Sequence, residues 1–210
     1  MTPTGVALRD VRRQLFDAAE RVLLRSGPSA LTSRAVTEEA GVAKGVLHRH
    51  FADFDAFLAE LVLDRVARQE ERAAALRASA GTGTVVDNLA AALTELFESV
   101  AVAVVALITS RDPLRARLRE AGCNGLPLLT EAADATAAYL AAERESGRVA
   151  ATADVAVLAP TLVGAAHLLF ADRENGVPSQ EAVRRTVEAV VGAVVVGEQG
   201  RGPARPRHSG

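Results

Sequence analysis

Apolar residues recur at steps of three and four from the start of the chain, with Leu8, Val11, Leu15, Ala18 and Val22 on one stripe of a helix. Gly27-Pro28 ends that helix. A second, short helix opens after Leu31-Thr32, where the Thr32 hydroxyl can cap free backbone N–H groups, and it turns Ala35, Val36 and Ala40 inward before stopping at Gly41. The Gly41-Val42 turn is too short for the next helix, Ala43 to about His50, to run back antiparallel. The two helices should therefore cross steeply, as in a helix-turn-helix. Asp53 is placed to cap a long fourth helix with the stripe Phe54, Phe57, Leu58, Leu61 and Val62, which continues to about Ala80 and breaks at Gly81-Thr82-Gly83. Further helices are expected over 84–109, 113–121, 126–146, 153–171 and 179–196. No long stretch alternates at period two, so strands are not expected. The pattern predicts an all-α fold of about nine helices, with a three-helix head over 1–52 and a helical body over 53–197. The Gly-, Pro- and Arg-rich tail over 198–210 reads as disordered.

The stretch VAVLAPTLVGAAHLLF is apolar on nearly every side, and the last helix carries Val183, Val187, Val190, Val191 and Val194. A helix of the first kind must be covered all round. A four-helix dimer interface, two helices from each subunit, would cover both; a monomeric core is the alternative. Pro160, inside the first of the two, should kink it.

Composition alters this picture little until charge is divided along the chain. With 49% hydrophobic and 24% charged residues, the 210-residue chain is an ordinary globular one, and its net charge is -2. Residues 1–50 hold 8 basic and 5 acidic groups, or +3, whereas residues 51–198 hold 13 and 21, or -8. A basic head on an acidic body suits a polyanionic partner for the head alone. Cys123 is the only cysteine, so no intrachain disulfide can form. The N-terminus lacks the apolar core of a signal peptide, and the longest apolar run, Val100 to Ile108, falls far short of the roughly 20 residues a membrane span needs. A cytoplasmic protein that does not enter membranes is expected.

The densest chemistry lies in GVAKGVLHRHF, residues 41–51. On a helix starting at Ala43, Val42, Leu47 and Phe51 face inward, leaving Lys44, His48 and the glycines as an exposed edge. Gly45 costs about 1 kcal/mol of helix stability relative to alanine and lets another backbone or a phosphate approach closely. A helix N-terminus attracts phosphate oxygens, and Lys44 adds a charge suited to a phosphate or a guanine edge. His48 and His50, two residues apart, point about 200 degrees apart on a helix and cannot share a metal. His167 and His208 have no partner at ligand spacing, so no metal and no cofactor are expected. Cys123 has no histidine at a suggestive distance, and no phosphate loop is present, so the chain is not read as an enzyme.

The segment LTSRAVTEEAGVAKGVLHRHFADFDAFL resembles the DNA-binding signature of the TetR family of bacterial transcriptional repressors, and VRRQLFDAAERVLLRSG resembles that family's first helix. The resemblance covers residues 11–60; beyond it only helix number, length and the apolar final pair agree. It implies an all-helical homodimer whose heads bind double-stranded DNA and whose bodies take up a small-molecule effector that releases the DNA. Thr32, Ser33 and Arg34 match the start of the second helix, and Ala43, Lys44, Gly45, Val46, His48, Arg49 and His50 match the recognition helix and its surroundings. Arg49 has a solvated side chain, and His50 a helix-end cap, as alternatives. The chain departs from the family pattern at Ala43, where Ser or Thr usually caps, at Val46 in place of Thr, at His48 in place of a phosphate-binding Tyr, and at Phe54 in place of Lys. These changes remove donors to phosphate. His48 can compensate, with one ring N–H when neutral and two when protonated, so operator affinity is expected to rise as the pH falls from about 8 to about 6.

A transcriptional repressor is the leading reading. An all-helical small-molecule carrier or scavenger with a degenerate head that does not bind DNA is the alternative. With aromatic residues at 3% and no Trp, an effector pocket would be aliphatic, and Phe97, Tyr139, Thr161 and His167 are its candidate residues. Each has a place in the core as its plainer role.

Overall fold

The computed structural model describes residues 5–172 and 176–197. The tail expected from residue 198, and the side chain of Leu8, lie outside the described residues. Among the described residues there are ten α-helices: α1 (Gly5–Ser26), α2 (Ser33–Glu39), α3 (Gly45–His50), α4 (Phe54–Ala78), α5 (Val85–Phe97), α6 (Ala101–Ser110), α7 (Asp112–Glu120), α8 (Leu129–Glu145), α9 (Val155–Ala171) and α10 (Gln180–Val191). A single 3-10 turn, Pro28–Ala30, follows α1. Among the described residues the only extended pairing is an isolated bridge between Val149 and Val195.

The caps expected from sequence form. Thr32 Oγ1 accepts from the Ala35 N–H at 3.1 Å, and Asp53 Oδ1 accepts from the Ala56 N–H at 2.8 Å, each satisfying a donor that the first turn of a helix leaves open. Ser179 and Asp154 cap α10 and α9 in the same manner.

Three expected spans are corrected. The helix expected over 84–109 is two helices, which raises the count from nine to ten. Ser99 stands in the break, where its hydroxyl donates to Leu96 O at 2.5 Å and accepts from the Ala101 N–H at 3.3 Å, closing one helix while opening the next. Helix α8 begins at Leu129 rather than 126, because Leu128 adopts φ 73 and its N–H is taken by Glu131 Oε2 at 2.6 Å. Helix α10 stops at Val191 rather than 196. The following valines bond sideways instead, with Ala150 N–H to Val194 O and Val196 N–H to Arg148 O, both at 2.8 Å. Pro160 lies inside α9, which runs through it.

The chain packs as two units, Met1–Glu71 with Leu96–Glu131, and Arg72–Glu95 with Ala132–Gly210. In the first, Leu15, Leu23, Leu47, Leu58 and Leu61 are fully buried around a cluster of Phe16, Phe51 and Phe57, whose ring centroids lie 5.0 to 5.9 Å apart. In the second, Leu89, Leu140, Leu162, Val187 and Val191 form the core, and α9 packs on α10. That core also encloses a polar knot. The fully buried Glu143 accepts from the Gly81 N–H at 3.2 Å and faces Arg148 at 3.4 Å, and Asn88 Nδ2 donates to Tyr139 Oη at 3.0 Å.

Candidate nucleic-acid interface

Two side chains anchor helix α3 from below. Leu47 is fully buried and Phe51, 3% exposed, packs its ring edge-on against Phe57 at 5.0 Å. Val42, the third expected anchor, is only half-buried. The turn before α3 needs Gly41, whose φ of 67 favours a residue without a Cβ. Gly41 and Val42 donate their N–H groups back to Glu38 O and Thr37 O, at 3.1 and 3.0 Å, closing α2 before α3 begins. Thr37 is buried, and its hydroxyl donates to Ser33 O at 3.0 Å, so it is a structural residue of α2.

With the apolar side pinned, the polar side is left to solvent. Ala43, Lys44, Gly45, His48 and Arg49 are exposed, while Val46 and His50 are half-buried on the same short helix. Among the described residues, neither Lys44 nor Arg49 has an ion-pair partner. The helix starts at Gly45 with Lys44 as its N-cap, and no side chain caps it. A Cβ on Gly45 would meet no heavy atom within 4 Å, so packing within the chain does not demand glycine there. From α2, Thr32 and Arg34 are exposed and Ser33 half-buried. Arg34 pairs with Glu38 at 2.7 Å, an exposed i,i+4 pair worth about 0.3–0.5 kcal/mol, which a phosphate can displace at little cost.

Around this edge the head is tied together by contacts between residues far apart in sequence. Gln14 Nε2 donates to Ala40 O at 2.8 Å, fastening the end of α2 to α1. Glu39 accepts from Arg21 at 2.7 Å and from Arg25 at 2.9 Å, and these two hydrogen bonds hold its carboxyl below the ordinary carboxylate range. Arg12 donates to His50 O at 3.4 Å and lies 4.6 Å above the Phe51 ring. No sequence periodicity announces these contacts; only the excess of arginine in α1 hints at them.

Residues 15–61 match the family model for bacterial regulatory proteins of the tetR family. This head is similar to the DNA-binding domain of the TetR family. Solved structures extend the likeness to the fold of nearly the whole chain. Reduced NemR of E. coli superposes with a TM-score of 0.70 at 17% identity, over 89% of this chain and 98% of that one. A TetR-family transcriptional regulator from Agrobacterium tumefaciens gives 0.65 at 14%, over 90% and 99%. FadR of Bacillus subtilis, solved with stearoyl-CoA, gives 0.65 at 18%, over 87% and 98%. No curated protein matches.

The remaining candidates lie on α5, α8 and α9. Phe97 is buried at the end of α5. Tyr139 is fully buried, and its hydroxyl is held by Asn88; burial, reinforced by the hydrogen bond to Glu143, pushes the phenol well above its ordinary range, so it stays neutral. Thr161 is exposed and donates to Val157 O of its own helix at 2.7 Å. His167 is half-buried, and burial lowers its affinity for a proton. A small cavity of about 110 Å³ that the sequence did not signal lies between α6 and α7 and the loop after α7, lined by Ile108, Leu118, Cys123 and Pro127, with Arg115 and Arg119 beside them. Burial, with Glu131 nearby, raises the Cys123 thiol, which leaves it a poor nucleophile. Among the described residues no group of three or more His, Cys, Asp or Glu side chains is placed to hold a metal, and no single helix is long and apolar enough to cross a membrane.

Proposed function

We propose that this chain is a cytoplasmic, DNA-binding transcriptional regulator, a repressor that a small-molecule effector releases from a palindromic operator. Residues 1–52 read the DNA, and residues 53–197 bind the effector and dimerise. One observation carries the reading: an exposed edge of Lys44, Gly45, His48 and Arg49 stands on an α3 that Leu47 and Phe51 fix from below. Lys44 takes a phosphate. Gly45 lets the DNA backbone close on the start of α3, Val46 meets a thymine methyl, and His48 donates a ring N–H where the family's usual tyrosine donates a hydroxyl. Thr32, Ser33 and Arg34 hold phosphates from the start of α2, and Arg49 and His50 complete the contact at the end of α3. A carrier with an unused head has no need of this unpaired edge, so the DNA-binding reading is favoured.

The homodimer forms through α9 and α10. Val157, Pro160, Thr161, Gly164 and Leu168 recur at steps of three and four, and all five are exposed, with Leu168 exposed by 73%. Such a stripe, small at the centre and apolar at both ends, lets a second copy of α9 approach closely. Thr161 belongs to this face; Phe97, Tyr139 and His167 remain, each separately, candidates for contact with an effector. FadR of Bacillus subtilis, solved with stearoyl-CoA, and the multidrug binding protein EbrR, solved with imidazole, are proteins of this fold that hold a small molecule, which supports the effector reading. Fluorescence-anisotropy titration of the protein with DNA flanking its own coding sequence tests the reading. Saturable binding that random DNA does not compete is expected, and equal affinity for both DNAs would overturn it.

A further inference from the structure

The junction between α3 and α4 is gripped by arginines from two sides. From α1, Arg12 bonds His50 O, covers the Phe51 ring and pairs with Glu60. From α7, Arg117 pairs with Asp53 Oδ2 at 2.5 Å. Arg111, the N-cap residue of α7, pairs with Asp55 at 2.5 Å, and its guanidinium lies 5.5 Å from the Phe54 ring centroid. Asp53 serves twice, since its other oxygen caps α4 through the Ala56 N–H. That N–H, together with the charge of Arg117, holds the carboxyl below its usual range and keeps it an anion.

A six-residue helix cannot set its own direction. Helix α3 takes its direction from Leu47 and Phe51 beneath it and from the first turn of α4, which begins only four residues after His50. Helix α7 holds that turn at two successive acids, with Arg111 and Arg117 roughly two helical turns apart. Pairs as exposed as these, 39% and 48% for Arg117 and Asp53, contribute little to folding but restrict the angles open to the turn they grip. The family's usual lysine at position 54 would face Arg111 with a like charge; Phe54 offers a ring face instead.

We propose that Arg111 and Arg117 are positioning residues for DNA recognition, acting through Asp55 and Asp53 on the angle of α3 without touching DNA. The inference rests on the DNA-binding reading. Loss of both pairs spreads the head over more orientations, and apparent affinity falls in proportion to the competent fraction.

Two double variants separate positioning from simple charge. R111Q/R117Q breaks both pairs and removes two positive charges. D53N/D55N breaks the same pairs while removing two negative charges, and the side-chain amide that D53N introduces still offers an oxygen to cap α4. Both should weaken operator binding by about three- to tenfold, with melting temperatures within a few degrees of the unmodified chain, and R111K/R117K should recover most of the loss. Hydrogen exchange at the amides of residues 54–57, read without DNA, should quicken in both doubles. If R111Q/R117Q weakens binding while D53N/D55N strengthens it, charge alone is at work and the proposal is overturned. It is overturned by itself if both doubles bind and exchange like the unmodified chain. If the unmodified chain shows no specific binding, the regulator reading fails and the positioning role fails with it.

Discussion

Replacing Lys44 with alanine isolates the electrostatic part of recognition. Lys44 is the only lysine in the chain, exposed at the start of α3, and has no ion pair among the described residues. Its removal should leave folding stability within about 0.5 kcal/mol. On DNA it removes one phosphate-neutralising charge from each protomer, two from the dimer. Each neutralised phosphate contributes about 0.9 to the slope of log affinity against log salt, so the slope should become shallower by about 1.8. Between about 50 mM and about 200 mM salt, that difference narrows the advantage of the unmodified protein roughly twelvefold. Anisotropy titrations across this range, on the same operator fragment, give both quantities. An unchanged slope with weakened binding would move Lys44 from a phosphate to a base edge. Unchanged affinity at every salt concentration would refute the placement of α3 against DNA.

Leu47→Ala empties a fully buried site beneath α3 and should cost about 2–5 kcal/mol in a urea melt, with operator binding lost well before the rest of the helical signal; a cost below about 1 kcal/mol would show that Leu47 is no anchor. Leu168→Glu places a charge on a side chain exposed by 73% and should yield a folded monomer in sedimentation experiments; a persistent dimer would place the interface elsewhere. His167 makes stability depend on pH, because burial holds its imidazole below the ordinary value of 6.5, so on acidification the unfolded chain binds a proton before the folded one does. Its contribution is intact above pH 6.5 and is lost as the pH falls through the lower folded value, so the urea midpoint should drop more steeply below pH 6.5 in the unmodified chain than in His167→Gln; equal pH profiles would remove His167 from this role.

Features that depend on neighbours in sequence were legible from the residues alone. Thr32 and Asp53 read as caps because a side-chain oxygen reaches an N–H three residues on, whatever the rest of the fold does. The division of residues 41–51 into anchor and edge follows from helical spacing, and Leu47 and Phe51 are indeed buried while Lys44 and His48 are exposed. The break at Ser99 leaves no local mark, because the apolar pattern continues across it and a serine inside such a pattern does not by itself stop a helix. The end of α10 is hidden for a related reason: a run of valines suits an apolar helix face and an extended pairing equally well, and residues 148–150, over forty positions earlier, settle the choice. Least legible were the arginine contacts. Arg117 meets Asp53 across 64 residues of sequence, and Arg12 meets His50 across 38, distances at which no local spacing carries a signal.

The central claim, that the edge of α3 reads a two-fold DNA site, is tested most directly by footprinting the protein on DNA flanking its own coding sequence and measuring the stoichiometry of the complex. One protected near-palindrome is expected, bound by two chains or a multiple of two, with half-site centres about 34–36 Å apart or slightly more. Protection should weaken with Lys44→Ala, and by more at about 50 mM salt than at about 200 mM. Uniform, sequence-independent protection that Lys44→Ala leaves intact would contradict the claim.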